Sequence, residues 1–357
     1  MASKRNEYVQ SETYKEILSQ PDVWRSVLQQ LEHDSGAEKI LGSARRKPSW
    51  LFVGCGTSFY LAEAAATSWT LLTGEPARAI PASEVLLYPG LTRANGTELQ
   101  AVVISRSGRT SEAVRAAHVL KKEMRVPMIG VTCAKESALE SACDSTLVLA
   151  ADEQSTVMTR SFTSMLISLQ WLAAAHAGNA AFARLLNTVA EHFAARISAL
   201  AQEIEQFVAS PSFEDYVFLG QGPFHGIARE AALKVMEMSC SYSQSFHTLE
   251  FRHGPKAIVT PQTALTFFLS QAGRQAEVEV LEEMSDLGGV TISVCNQGDE
   301  RIRRASALVL ELNLLGDDLA LLAPSVVPSQ MLGFFTGMSK GLNPDQPKNL
   351  TRVVMLD

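Results

Sequence analysis

The chain has 357 residues, with 31 Lys and Arg against 38 Asp and Glu for a formal net charge of −7; 46% of its residues are hydrophobic and 19% charged. That length allows two domains with ample core, and the balance excludes disorder, collagen and coiled coil. An acidic surface argues against nucleic-acid or anionic-membrane partners, while a small anionic ligand stays compatible with it through a local positive pocket.

In chain order, the leader MASKRNEYVQSETYKEILSQ has no apolar signal core, and no run of about 18 apolar residues occurs anywhere, so a cytoplasmic protein is expected. Residues 8–33 show helical spacing, with Ile17, Leu18, Val23, Trp24, Val27, Leu28 and Leu31 as the apolar set and a break at Gln20–Pro21. A basic stretch from Lys39 to Lys47 leads into an apolar strand, Trp50 to Val53. Short buried strands then alternate with amphipathic segments at 101–105, 127–132 and 145–150, the pattern of a parallel α/β sheet. One long helical tract, Met158 to about Phe207, is expected before a second apolar strand at Tyr216–Leu219.

The two halves repeat each other. Gly54-Cys-Gly56 matches Gly220-Gln-Gly222, and SRSGRT (105–110) matches SQAGRQ (270–275); 129–133 then matches 291–295, and 147–149 matches 308–310. The offsets drift slowly from 166 to 161 residues, which points to duplication of one α/β unit. The copies differ where chemistry would sit. The first loop carries Ser105, Ser107 and Thr110, and the second keeps only Ser270. Hydroxyls and N–H groups between a strand and a helix suit an anion, so the first half is expected to bind phosphate and the second not, with Arg106 or Arg109 as a charged donor. The competing reading is a simple turn with a helix N-cap. The GCGTS turn (54–58) is neither a dinucleotide fingerprint nor a P-loop, but its glycines let the backbone approach a ligand, and Thr57 and Ser58 offer hydroxyls.

Further on, Gly226 to Ser239 reads as a strong helix with Lys234 and Glu237 on one face. Glu237 suits a general base for moving a proton between adjacent carbons, against the alternative of an exposed ion pair with Lys234 or a Glu230–Lys234 pair. His253 precedes Gly254-Pro255 on a sharp turn, placed to reach into a cleft or simply to bond to backbone. Nothing beside His225 or His247 suggests convergence. The five cysteines and seven histidines form no zinc-like or HxxxH spacing, so neither a metal site nor a disulfide framework is expected.

These motifs together resemble the sugar isomerase (SIS) family in its tandem-domain branch, over nearly the whole chain. GCGTS, SRSGRT, ALKVMEMS (232–239), FRHGP (251–255) and NPDQPKNLTR (343–352) are similar to the isomerase half of glucosamine-6-phosphate synthase. Closer still is the AgaS branch of tagatose-6-phosphate ketose/aldose isomerases and amino-sugar-phosphate deaminases. It is similar in 16–24, in the Arg of SRSG, in Val157–Thr163 and in Ala228–Lys234. The resemblance implies two doubly wound parallel-sheet SIS domains, at 36–205 and 206–357, behind a helical extension at 1–35. It implies that Ser105, Arg106, Ser107 and Thr110 hold a phosphate and that Cys55, Gly56, Thr57 and Ser58 frame a sugar. Glu237 would move a proton between C1 and C2 beside Lys234, and His253 would open the ring from a neighbouring subunit of a homodimer. Where the synthase has a Schiff-base lysine this chain has Arg352, which stays protonated and suits electrostatic substrate binding. No amidotransferase half is present, so glutaminase activity is not expected.

The expected function is therefore cofactor-free aldose–ketose isomerisation of a hexose or hexosamine 6-phosphate, with coupled deamination for an amino sugar. The alternatives are a deglycase acting on a phosphorylated Amadori product and a non-catalytic sugar-phosphate-binding regulator.

Overall fold

A computed structural model describes residues 8–33, 35–43, 49–92, 98–209 and 213–356. Of the sequence readings, the leader before Tyr8 and residues 44–47 of the basic stretch lie outside these. Helix α1 (Glu12–Leu18) starts at the Ser11 cap, and α2 (Gln20–His33) follows directly, with the break where Gln20–Pro21 places it. After α3 (Ser35–Ser43) the chain alternates: β1 (Ser49–Gly54), α4 (Thr57–Thr73), β2 (Ala77–Pro81), α5 (Ala82–Leu87), β3 (Leu99–Ile104), α6 (Ser111–Lys122), β4 (Met128–Thr132), α7 (Ala138–Ala142) and β5 (Ser145–Val148). The expected single helical tract is two helices, α8 (Arg160–His176) and α9 (Ala180–Val208). Gly178 takes a left-handed φ of 71°, and the Asn179 side chain accepts a hydrogen bond from the Phe182 N–H, so one helix stops and a capped one begins.

The second round runs β6 (Asp215–Gly220), α10 (Phe224–Ser239), β7 (Tyr242–Phe246), β8 (Thr263–Phe268), α11 (Arg274–Asp286), β9 (Val290–Cys295), α12 (Glu300–Ala305), β10 (Leu308–Glu311) and α13 (Leu322–Ser339). Both sheets are five-stranded and parallel, ordered β2-β1-β3-β4-β5 and β7-β6-β8-β9-β10. The two orders are the same round of strands used twice, a doubly wound α/β architecture in each copy. Apolar runs such as Trp50–Val53 and Val217–Leu219 are buried throughout, as parallel strands covered on both faces must be.

The chain folds as two compact units that are discontinuous in sequence. One comprises 22–153, 160–187 and 351–357 around the first sheet; the other comprises 1–21, 154–159 and 188–350 around the second. In the first, Leu51, Val53, Ala101 and Val103 pack with Ala113, Ala116 and Leu120 of α6. In the second, Val217, Leu219, Leu265 and Phe267 pack with Phe251 and with Val278, Leu281 and Met284 of α11. The second unit also holds α1: the Asp345 carboxylate accepts hydrogen bonds from the Ser11 hydroxyl and the Thr13 N–H, each at 2.8 Å. Among the described residues no helix is long and apolar enough to cross a membrane.

Candidate active site

In the first unit, β1 and β3 are adjacent and parallel, so the loops that follow them leave the same carboxyl edge of one sheet. The GCGTS turn is built around close backbone approach. A Cβ on Gly54 would lie 2.3 Å from the Ser58 carbonyl oxygen, and Gly56 has φ 53°. The first turn of α4 closes with Phe59 N–H donating to Gly56 O at 2.8 Å. Thr57 and Ser58 are buried, and Cys55 is half-buried. Burial, reinforced by the Glu112 charge, pushes the Cys55 thiol up to about 12, which favours its protonated form at neutral pH.

Ser105 donates to the Thr110 hydroxyl at 3.4 Å, the Gly108 N–H closes back on Ser105 O at 3.0 Å, and the Ser107 hydroxyl accepts from the Arg109 N–H at 3.2 Å. Gly108 has φ 60°, and a Cβ there would meet Ser137 Oγ at 2.3 Å, so the loop requires glycine. Thr110 caps α6 without spending its hydroxyl on the helix. The three hydroxyl residues thus gather at one helix start. Arg106 takes a different direction: its buried guanidinium turns inward to Glu153 at 3.2 Å and to the Arg352 carbonyl at 3.0 Å. Arg352 in turn pairs with Asp152 at 2.7 Å and donates to the Glu153 carbonyl. Both arginine side chains are therefore engaged by protein carboxylates, and Arg109 is exposed. The last residues run along the start of α6, with Ser111 N–H donating to Val354 O at 3.2 Å and Leu356 N–H to Ser111 Oγ at 2.9 Å.

In the second unit the equivalent loop after β8 is filled by its own chain. Asp318 accepts from the N–H groups of Gln271 at 2.7 Å and Ala272 at 3.1 Å, and Glu277 accepts from the Ser270 N–H at 2.7 Å and the Ser270 hydroxyl at 2.9 Å. Two carboxylates thus occupy the donors that a phosphate would use. Sequence reading missed this because Asp318 lies 46 and 47 residues from the groups it caps. Burial pushes the Glu277 carboxyl up to about 7, against the Ser270 hydrogen bonds. A carboxyl raised above its unfolded value of 4.5 favours the folded state at low pH, and that contribution is lost as pH rises through 7. Wild type should therefore lose stability relative to Glu277→Gln from about pH 4.5 to pH 7 and run parallel to it above, in thermal unfolding of both proteins across that range. Parallel curves throughout would contradict the assignment.

On α10 of the same unit, the fully buried Lys234 ammonium hydrogen-bonds the Glu237 carboxylate and lies 3.4 Å from Glu230. Glu237 is the exposed end of this triad, with 18% of its side chain open. Helix α13 crosses α10 at glycines: a Cβ on Gly333 would lie 2.9 Å from Lys234 O, and one on Gly337 only 2.1 Å from Met238 O. His253 is exposed on the loop after β7, with its N–H donating to Glu250 O at 2.9 Å and Gly254 at φ 115°. His225 and His247 do meet: their rings stack at 3.7 Å with 11° between planes. Burial first, then the neighbouring His247 and Arg229 charges, lower the His225 imidazole to about 4. Among the described residues no group of three or more His, Cys, Asp or Glu side chains is placed to hold a metal ion.

The SIS domain description matches residues 44–175 and 215–332. Over 349 residues the chain is 28% identical to glutamine–fructose-6-phosphate aminotransferase (isomerizing) of Methanothermobacter thermautotrophicus, covering 96% of this chain and 57% of that protein. The chain thus spans little more than half the length of such relatives. A crystal structure of glucosamine-6-phosphate deaminase from Thermotoga maritima shares 31% identity at a TM-score of 0.79, over 97% of this chain and all of that one. That of tagatose-6-phosphate ketose/aldose isomerase from Escherichia coli superposes at 0.84 with 24% identity, over 96% of both chains, a likeness of fold.

Proposed function

The chain belongs to the SIS domain family, and on that premise we propose that it is an aldose–ketose isomerase of a hexose or hexosamine 6-phosphate. The observation that carries the reading is the contrast between the duplicated loops. Ser105, Ser107 and Thr110 cluster at the start of α6, while the donors of the second copy are capped by Asp318 and Glu277. One loop per chain is thereby left to seat a phosphoryl group, chiefly through the hydroxyls of Ser105, Ser107 and Thr110 at the start of a helix. Arg106 then serves as a structural tie, its charge met by Glu153. Cys55, Gly56, Thr57 and Ser58 frame the sugar.

Glu237 takes the proton from C2 of the open-chain aldose and returns it to C1, giving the ketose. Lys234 pins the carboxylate that does this. His253 passes a proton between the ring oxygen and the C1 hydroxyl when the ring opens. With an amino sugar, the same transfer converts the C2 amine into a ketimine, and water then releases ammonia and leaves the ketose phosphate. Arg352 cannot readily form an imine with the sugar, and it is paired with Asp152. Purified protein incubated with glucosamine and galactosamine 6-phosphates, and with hexose 6-phosphates, tests the reading. Ammonia release or aldose–ketose interconversion supports it, and neither across the panel overturns it.

The reading extends to a homodimer in which His253 serves the substrate held by the other subunit. Mixing His253→Ala with Glu237→Gln should then restore activity. Random pairing gives half heterodimers, each with one intact site, so about a quarter of wild-type activity is expected. Activity that never exceeds the sum of the two variants would show that each subunit works alone.

A further inference from the structure

The residue given the ring-opening role has little of its own to hold it. His253 is exposed, Gly254 beside it sits at φ 115°, and among the described residues no hydrogen bond reaches the imidazole. What fixes the segment lies on either side. Phe251 is fully buried in the second unit's core, against Phe246 at 5.3 Å. Arg252 Nε then reaches Glu283 Oε2 at 2.7 Å, and Lys256 Nζ reaches Glu283 Oε1, also at 2.7 Å. A single carboxylate therefore holds both flanks of the His253–Gly254–Pro255 turn, one with each oxygen. Glu283 belongs to α11, whose Val280, Leu281 and Met284 are buried among the same core residues as Phe251, so it is a post on a fixed helix. The Lys256 hydrogen bond, with Arg252 beside it, holds the Glu283 carboxyl below the usual carboxylate range, so the post stays charged at neutral pH.

We infer that Glu283 is a positioning residue for the proposed isomerisation: by tying Arg252 and Lys256 to α11 it fixes the turn that presents the His253 imidazole to the sugar. The inference rests on the role given to His253 above. Partly exposed ion pairs add little to folding, so the clamp acts on orientation, and a small misplacement of a catalytic group is costly to rate.

The test is a double-mutant cycle on the full chain with the substrate that the panel identifies. Glu283→Ala should lower kcat about tenfold with KM changed less than about twofold, and Glu283→Asp should recover most of the loss. Added to His253→Ala, Glu283→Ala should cost almost nothing more, because the two act through one group. Thermal unfolding of each variant separates misfolding from misplacement. Unchanged kcat in Glu283→Ala, or losses that simply add, would overturn the inference alone. Unchanged kcat in His253→Ala would overturn the role of His253 and the inference with it.

Discussion

Glu237→Gln should cut kcat by about 10²–10⁴-fold with KM changed only a few-fold, the range expected when a positioned proton-transfer group is removed. Glutamine keeps the side chain's size and one oxygen for the Lys234 ammonium, so packing on α10 survives while the base is lost. The triad sharpens the expectation. Lys234 and Glu230 have no exposed side-chain surface, whereas 18% of Glu237 is open. Of the three, then, only Glu237 has side-chain surface open to a ligand, and Lys234, itself paired with Glu230, holds its carboxylate. Steady-state kinetics on the ammonia-releasing or isomerising reaction checks this. A variant that keeps full kcat would falsify the assignment.

Gly337→Ala should be the most disruptive single methyl in the second unit. The added Cβ would sit 2.1 Å from the Met238 carbonyl oxygen, and the obstruction is helix backbone, which cannot swing aside as a side chain would. Overpacking of this kind costs about 1–3 kcal/mol, which corresponds to a fall of several degrees in Tm for a protein of this size. Met238 is next to Glu237, so relief of the clash would also displace the carboxylate, and kcat should drop with Tm. Gly42→Ala is the matched control. Nothing lies within 4 Å of a Cβ there, and alanine in a helix is favourable by about 0.5–1 kcal/mol. Differential scanning calorimetry of the two variants separates steric conflict from helix propensity.

The duplication was legible because buried parallel strands are continuous apolar runs: Trp50–Val53 and Tyr216–Leu219 fall in strands, as does the 101–105 run up to Ile104. The edge strands were not. ARAIP at β2 and YSQSF at β7 are half-buried and mixed in polarity, so no run announces them. The hydroxyl loop could be read from residue type, since Ser, Gly and Thr between strand and helix have a local meaning. Arg106 could not: its direction is set by Glu153 and the Arg352 carbonyl, 47 and 246 residues away. The His225–His247 stack escaped for the same reason, because each histidine alone is an ordinary residue and only the fold puts one ring on the other.

The interleaving of the two units bears on how the polypeptide matures. One unit needs residue 11 and residue 345 together, and the other needs the segment after 350. Neither unit can therefore close before residue 345 has been made, and the early helix α1 has to wait for Asp345. Such distant closures are slow and leave apolar surface uncovered meanwhile. Cutting the gene between the repeats should accordingly yield two insoluble fragments instead of two autonomous domains.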